Sequence, residues 1–172
     1  MTIRALKDYG AKSDAKEIGE RITKAKAWLV KAPVTNSEDR AGRLLGLKWA
    51  GAPGEALQKA TTDIRKDQRA DGGWAQLPGM PSDAYATGQA LYVLHTAGGV
   101  PTADPVYQRG VKFLLKNQEV DGTWFVNKRT LPGNNYFGAG FSHGQSQYSS
   151  FNGTCWATMA LVQTLPKRVA SR

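Results

Sequence analysis

Apolar residues recur every three or four positions along most of the chain, the spacing of one face of an α-helix. The first such stretch follows Asp14 and Glu17, whose spacing predicts a capping box. It stops at Pro33, because proline cannot continue a helix. We therefore predict an amphipathic helix between these signals, and its apolar positions are Ile18, Ile22, Ala25, Leu29 and Ala32.

Caps and breakers predict five more helices after the first. The alternation expected of a β-strand is found only in the short run 123–126. The sequence thus predicts an all-α fold in one domain, 1–172, with six helices in three pairs at roughly 14–51, 54–98 and 104–165. The predicted starts of the later helices are Ser37, Pro53, Ser82 or Asp83, Asp104 with Pro105, and Asn152.

An internal repeat lies within these helices, because residues 63–74 and 112–124 share one pattern. Each copy ends a helix with a glutamine, continues with Asp-Gly, and finishes with a tryptophan. Glycine tolerates the positive φ of a tight turn, so the tryptophan can fold back over the glutamine amide. The amide can then bond exposed backbone groups at helix ends. We interpret four residues as structural clamps: Gln68, Trp74, Gln118 and Trp124.

The segment 109–124 resembles the Gln-Trp repeat of squalene-hopene and oxidosqualene cyclases. Its basic, glycine, aromatic, aliphatic, glutamine and Gly-x-Trp positions all match, and the copy ending in Trp74 matches from Gln68 onward. The resemblance covers residues 14–166 and extends to bacterial prenyltransferase and squalene oxidase repeat proteins. It implies an α/α toroid, in which helix pairs form a ring around a central cavity.

A complete ring of this superfamily has six helix pairs, and three are predicted here. Half a ring would expose apolar faces at both ends. Three arrangements remain open: the chain is the C-terminal half of a longer protein and its N-terminal half is missing, it associates with itself, or it packs against another subunit.

The resemblance also implies where catalysis would occur. Class II cyclases carry Asp-x-Asp-Asp-Thr-Ala at the start of an inner helix, and the middle Asp protonates an alkene or epoxide. Here segment 83–88 begins with Asp83 but has Tyr85 in the position of the acid. A phenol with a pKa near ~10 is too weak to protonate an alkene. We expect no ordinary class II chemistry.

The related protein prenyltransferases hold zinc with Asp, Cys and His. Here Tyr85 and Gly153 stand where the Cys and His would be, so we expect no metal and no other cofactor. A polar loop before the last helix supplies a further candidate, His143, as acid, base or ligand. The alternative is that His143 orders the loop through backbone hydrogen bonds. Catalytic candidates are thus Asp83, Tyr85 and His143, and ligand-binding candidates are Gln147 and Trp156.

The composition adds a net charge of +9 with 41% hydrophobic residues. No nucleic-acid motif accompanies the charge, so we expect no specific nucleic-acid partner, and attraction to a membrane surface rests on charge alone. We also expect no signal peptide or transmembrane segment. The leading hypothesis is a divergent toroid that binds a hydrophobic, isoprenoid-like molecule without acid chemistry. The alternatives are a helical scaffold for a partner protein and a terpenoid cyclase or isomerase.

Overall fold

Backbone hydrogen bonding is almost entirely helical in the part of the chain that the computed structural model describes, residues 2–129 and 137–166. These residues contain no strand, only an isolated bridge between Trp74 and Asp83, so the all-α prediction is confirmed. None of the described helices is long and apolar enough to cross a bilayer. The helices are α1 (Thr2–Tyr9), α2 (Ala15–Lys31), α3 (Ser37–Trp49), α4 (Gly54–Lys66), α5 (Ala84–Thr96), α6 (Pro105–Lys116) and α7 (Gln147–Val162).

Aspartate caps begin two of the helices as predicted. The Asp83 carboxylate accepts the backbone N–H of Ala86 at 2.8 Å. The Asp104 carboxylate accepts that of Val106, also at 2.8 Å. Each cap satisfies one of the free N–H groups of a first helical turn. The predicted starts of α5 and α6 are therefore confirmed.

Asp14 is the N-cap residue of α2, so this predicted start is confirmed, but its side chain makes no capping hydrogen bond. Two other predicted caps are wrong. Asn36 rather than Ser37 caps α3, accepting Asp39 N–H at 2.8 Å; the two types cap comparably, so sequence does not choose between neighbours. Asn152 lies inside α7, which begins five residues earlier at Gln147. The helix α1 was not predicted, because its eight residues make only about two turns, too few to establish a repeat. The run 123–126 pairs with no strand.

The inner helices α3, α5 and α7 lie in one row, with α5 in the middle in contact with both others. The outer helix α2 packs on α3, α4 packs on α3 and α5, and α6 packs on α5 and α7. Nine of the residues of α5 from Ala84 to Leu94 are buried. A helix buried on most sides loses the one-faced apolar stripe that α4 and α6 retain.

Two close contacts fix α7 against the rest of the core. A side chain at Gly88 of α5 would place its Cβ 2.5 Å from the backbone of Trp156 and Ala157, so only glycine fits at this crossing. On the other side the buried Tyr107 hydroxyl of α6 donates to Ala160 O at 2.8 Å, and burial raises the Tyr107 pKa to about 12. These contacts hold the second half of α7 against α5 and α6, so the first turns of α7 extend past the start of α5.

Candidate active site at the inner helix starts

Both repeated tryptophans fold back onto the helix that precedes them. Trp74 Nε1 donates to Ile64 O at 2.8 Å, and Trp124 Nε1 donates to Leu114 O at the same distance. Each indole is 2% exposed. The two acceptors are separated by the same number of residues as the two tryptophans. We call the segments 68–74 and 118–124 the first and second Gln-Trp corners. The two corners have the same geometry, and each joins the end of an outer helix to the segment that leads into the next inner helix.

The glutamine side chains of the two corners differ in their hydrogen-bond partners. Gln68 and Gln118 both donate from Nε2 to the carbonyl of the turn glycine at 2.9 Å. Gln68 also donates to Val106 O at 2.8 Å and accepts from the Arg109 guanidinium, so it holds the first turns of α6. Among the described residues, Gln118 makes only the turn bond. The clamp role of these residues stays a prediction about stability.

Asp83 lies at the start of α5, partly buried. Besides capping the helix, its carboxylate accepts from Gln76 Nε2 at 2.6 Å. Burial raises its pKa, and the hydrogen bonds from Ala86 and Gln76 offset part of that effect. The Asp83 carboxyl is thus engaged in capping and in a side-chain pair, while keeping its proton to a higher pH than an exposed aspartate.

Tyr85 follows two residues later and points to different neighbours. Its hydroxyl donates to Glu38 Oε1 of α3 at 3.3 Å. Burial first, and then the negative charge of Glu38, raise the Tyr85 pKa above its usual value, with an opposing contribution from hydrogen bonding to Trp156. A higher pKa makes the phenol a weaker proton donor than free tyrosine. The group in the position of the cyclase acid is therefore poorly suited to protonate an alkene.

A cleft of about 330 Å³ opens beside Tyr85, between the starts of α5 and α7. Two tyrosines line it, Tyr85 of α5 and Tyr148 of α7. Trp156, a hydrogen-bond partner of Tyr85, lies outside the lining and packs edge-on against Tyr92 with ring centroids 5.6 Å apart. Two cations, Lys128 and Arg129, also line it. The cleft therefore combines π-faces, which favour apolar or cationic groups, with positive charge, which favours an anion.

His143, the third catalytic candidate, does not line this cleft and does not lie beside Asp83 and Tyr85. It takes a left-handed conformation, φ 76°, and its Nε2 lies 2.8 Å from Thr123 Oγ1. Its ring packs edge-on against Phe125. Thr123 and Ser142 both donate to Asp121, whose pKa these hydrogen bonds lower, Thr123 first. The loop therefore turns the imidazole toward the second corner and away from the inner helix starts.

The other loop candidate, Gln147, is buried at the first residue of α7. Its Oε1 accepts Ala139 N–H at 2.8 Å and its Nε2 donates to Phe137 O at 3.1 Å. The amide therefore binds the backbone of the preceding loop, and whether it also contacts a ligand stays a prediction. Cys155, expected as a small core residue, is exposed on α7, since α7 buries its other faces.

Sequence reasoning missed the side chains that other elements bring to this cleft: Glu38 from α3, Gln76 from the segment after the first corner, and Lys128 with Arg129 after the second. A signal existed for Glu38. It lies in the first turn of α3, as Tyr85 lies in that of α5. Parallel neighbouring helices bring their first turns together. The other three lie in irregular segments, where spacing predicts no direction.

Comparison with known proteins identifies the family. Residues 53–169 match the squalene-hopene cyclase C-terminal domain. The chain belongs to this family. It is also similar to drimenyl diphosphate synthase from Streptantibioticus cattleyicolor, with 33% identity over 96 residues. That alignment covers 52% of the chain but only 18% of the synthase. The family resemblance seen in the sequence is thus confirmed.

Both Gln-Trp corners, the two candidates at the start of α5, and His143 fall inside the squalene-hopene cyclase C-terminal domain match. Helices α1, α2 and α3 lie before it. All the residues that line the cleft therefore lie in the matched region, while Glu38, the hydrogen-bond partner of Tyr85, comes from outside it.

Proposed function

We propose that the chain binds a hydrophobic, isoprenoid-like molecule in the cleft beside Tyr85 and does not protonate it as class II cyclases do. The observation that carries this proposal is the cleft itself. Tyr85 of α5 and Tyr148 of α7 line it, with Tyr85 in the place of the acid. The similarity to a synthase of drimenyl diphosphate supports a terpenoid ligand.

The aromatic part of the cleft suits a branched hydrocarbon. Tyr148, which is 45% exposed, and the half-buried Tyr85 offer ring faces within the cleft. Trp156 and Tyr92, also partly buried, pack edge-to-face behind them. Lys128 and Arg129 offer charge for an anionic head group at the rim. Both isoprenoid alcohols and isoprenoid diphosphates are compatible with this lining, and the diphosphate should bind more tightly at low salt.

The absence of acid chemistry follows from Tyr85. Burial and Glu38 move its pKa upward, the wrong direction for an acid that must act on an alkene. Replacing Glu38 would remove one cause of the raised Tyr85 pKa, but the acid would still be a phenol. Because a phenol does not protonate an alkene, we expect the bound isoprenoid to be chemically unchanged after incubation.

Binding can be tested with farnesol and farnesyl diphosphate by isothermal titration calorimetry, with gas chromatography and mass spectrometry for products. We expect saturable binding, about tenfold weaker in Trp156→Ala, and no cyclised product. Trp28→Ala is the matched control, because Trp28 is 67% exposed on α2. Equal affinity in both variants, or no saturable binding of either probe, would contradict the proposal.

A second candidate, terpenoid cyclase or isomerase activity, is favoured by one observation, the raised pKa of Asp83. An aspartic acid that keeps its proton could donate it to an activated alkene. Product analysis with squalene and farnesyl diphosphate tests this, with Asp83→Asn as the variant. Turnover that survives in Asp83→Asn would exclude Asp83 as the acid.

A further inference from the structure

A buried side chain of α5 carries a polar atom that is left without a partner. Gln89 is only 6% exposed, and its Oε1 makes no hydrogen bond among the described residues. A buried acceptor of this kind lowers stability, because it loses its hydrogen bonds to water on folding and gains none in return. Such groups are rare in folded proteins. A methionine would fill the same space without that loss, so stability does not explain why an amide is found here.

Gln89 lies on the face of α5 that leads to the cleft beside Tyr85. It follows Tyr85 by four residues and precedes Tyr92 by three, so the three side chains lie above one another on one side of the helix. Helical side chains tilt toward the N-terminus of their helix, which directs the Gln89 amide toward the start of α5, where the cleft opens. The unpaired oxygen therefore lies behind Tyr85, about one helical turn deeper than the ring.

Aromatic rings from α5 and α7 surround this amide. Trp156 hydrogen-bonds Tyr85 and packs edge-on against Tyr92, so it spans the helix positions on either side of Gln89. The backbone of α7 at Trp156 also lies against Gly88, the residue next to Gln89. The burial thus comes from these two helices, and the missing partner does not depend on what precedes or follows this chain. Only a group small enough to pass between the rings can reach the oxygen.

Tyr85 is the ring whose movement would open the way to the amide. Its hydroxyl lies 3.3 Å from Glu38 Oε1, which is long for a hydrogen bond between two oxygens. Trp156, by contrast, is held by the close crossing of its backbone with α5 at Gly88. A rotation of the half-buried Tyr85 ring gives up the weak bond to Glu38 and joins the cleft to the space in front of Gln89.

An unpaired carbonyl oxygen can be satisfied only by a hydrogen-bond donor. A hydrocarbon has none and an ionised diphosphate has acceptors alone, whereas a hydroxyl group donates. We propose that the isoprenoid bound in this cleft carries a hydroxyl group, which passes Tyr85 and donates to Gln89 Oε1, so that Gln89 determines specificity. The inference rests on the proposed function, because it names the ligand class of the same cleft. Lys128 and Arg129 at the rim stay available to an anionic group elsewhere on the same ligand.

The stability of the ligand-free protein provides the first test. Gln89→Met replaces the amide with an apolar side chain of similar length, so the variant should have a Tm about 2 to 4 °C higher, because the unpaired acceptor is gone. Gln58→Met, which changes an exposed glutamine of α4, should leave the Tm within about 1 °C. A Gln89→Met protein that melts at or below the wild-type Tm would show that the amide is already satisfied without ligand, and would overturn the inference.

Two probes of nearly the same shape test the selectivity. Farnesol has a hydroxyl group that donates, whereas farnesyl methyl ether has the same oxygen without its proton. Calorimetric titration of the wild type should show farnesol bound about tenfold more tightly than the ether. This preference should persist in Gln58→Met and disappear in Gln89→Met. A wild type without the preference, or an equal preference in Gln89→Met, would overturn this inference alone. No saturable binding of farnesol to the wild type would overturn the proposed function as well.

Discussion

A carboxylate that caps a helix usually stabilises it partly through its negative charge, but Asp83 keeps its proton to a higher pH than an ordinary aspartate. The burial that raises its pKa makes the ionised form costly, while the donors Ala86 and Gln76 compensate in part. An asparagine could accept the Ala86 N–H through its one amide oxygen, and its NH2 group could donate to the Gln76 amide oxygen once that amide is turned, all without the charge. The side chain at this position is therefore required for its acceptor oxygen more than for its ionisation.

Asp83→Asn should accordingly stabilise the chain at neutral pH. Because the folded pKa lies above the ordinary 3.8, the folded state holds the proton longer, and wild-type stability falls as pH rises through that interval. The advantage of the variant should be present at pH ~7 and shrink toward pH ~3.5, as urea denaturation at both values would measure. A constant difference across this range would contradict the assigned pKa direction.

Individual site residues were predictable only where a repeat or a family motif fixed their position. Asp83 and Tyr85 were found because the start of an inner helix is marked by a cap. His143 lies apart from them and its role stays a prediction, since a loop's length does not reveal which way its side chains turn. A left-handed residue bonded to Thr123 has no sequence signature.

At the scale of elements, the geometry of the corners explains why Gln, Gly and Trp have the same spacing in both copies of the repeat. The tryptophan satisfies a helix-end carbonyl while filling space, and the glutamine bonds the turn glycine, with Gln68 also joining its turn to α6. The sequence predicted these elements well because the chemistry is local. It predicted helix starts less well, because several residue types cap a helix equally and one or two positions apart.

Gln68→Ala should lower the free energy of unfolding by about 1 to 3 kcal/mol, because it leaves the carbonyl of Val106 and the guanidinium of Arg109 without their partner. Gln58→Ala, an exposed glutamine on α4, should change it by less than about 0.5 kcal/mol. Chemical denaturation gives both values. Equal effects would remove Gln68 from the set of clamps.

At the scale of the whole molecule, stability depends on how closely α5 and α7 approach. Their contact sets the width of the cleft and the direction of its aromatic residues. Periodicity could not predict this crossing, because α5 is apolar on most sides, while the one buried stripe of α7 consists of small and polar residues. Only the glycine at the contact hinted that two backbones meet.

Gly88→Ala should therefore be strongly destabilising, by about 3 kcal/mol or more, since the added carbon would overlap backbone atoms that cannot rotate away. Gly19→Ala, in the exposed middle of α2 with nothing within 4 Å, should instead stabilise by about 0.5 to 1 kcal/mol. Thermal denaturation of both variants measures these changes in stability. A tolerated Gly88→Ala would mean that the helices lie farther apart.

The unequal burial of the tryptophans gives the molecule a built-in optical reporter. Trp74 and Trp124 are shielded inside the corners, whereas Trp28 meets solvent. Iodide should quench the fluorescence of Trp28 first, leaving a blue-shifted emission from the shielded indoles. The later red shift of that emission then marks the moment at which the corners open, separately from loss of helix.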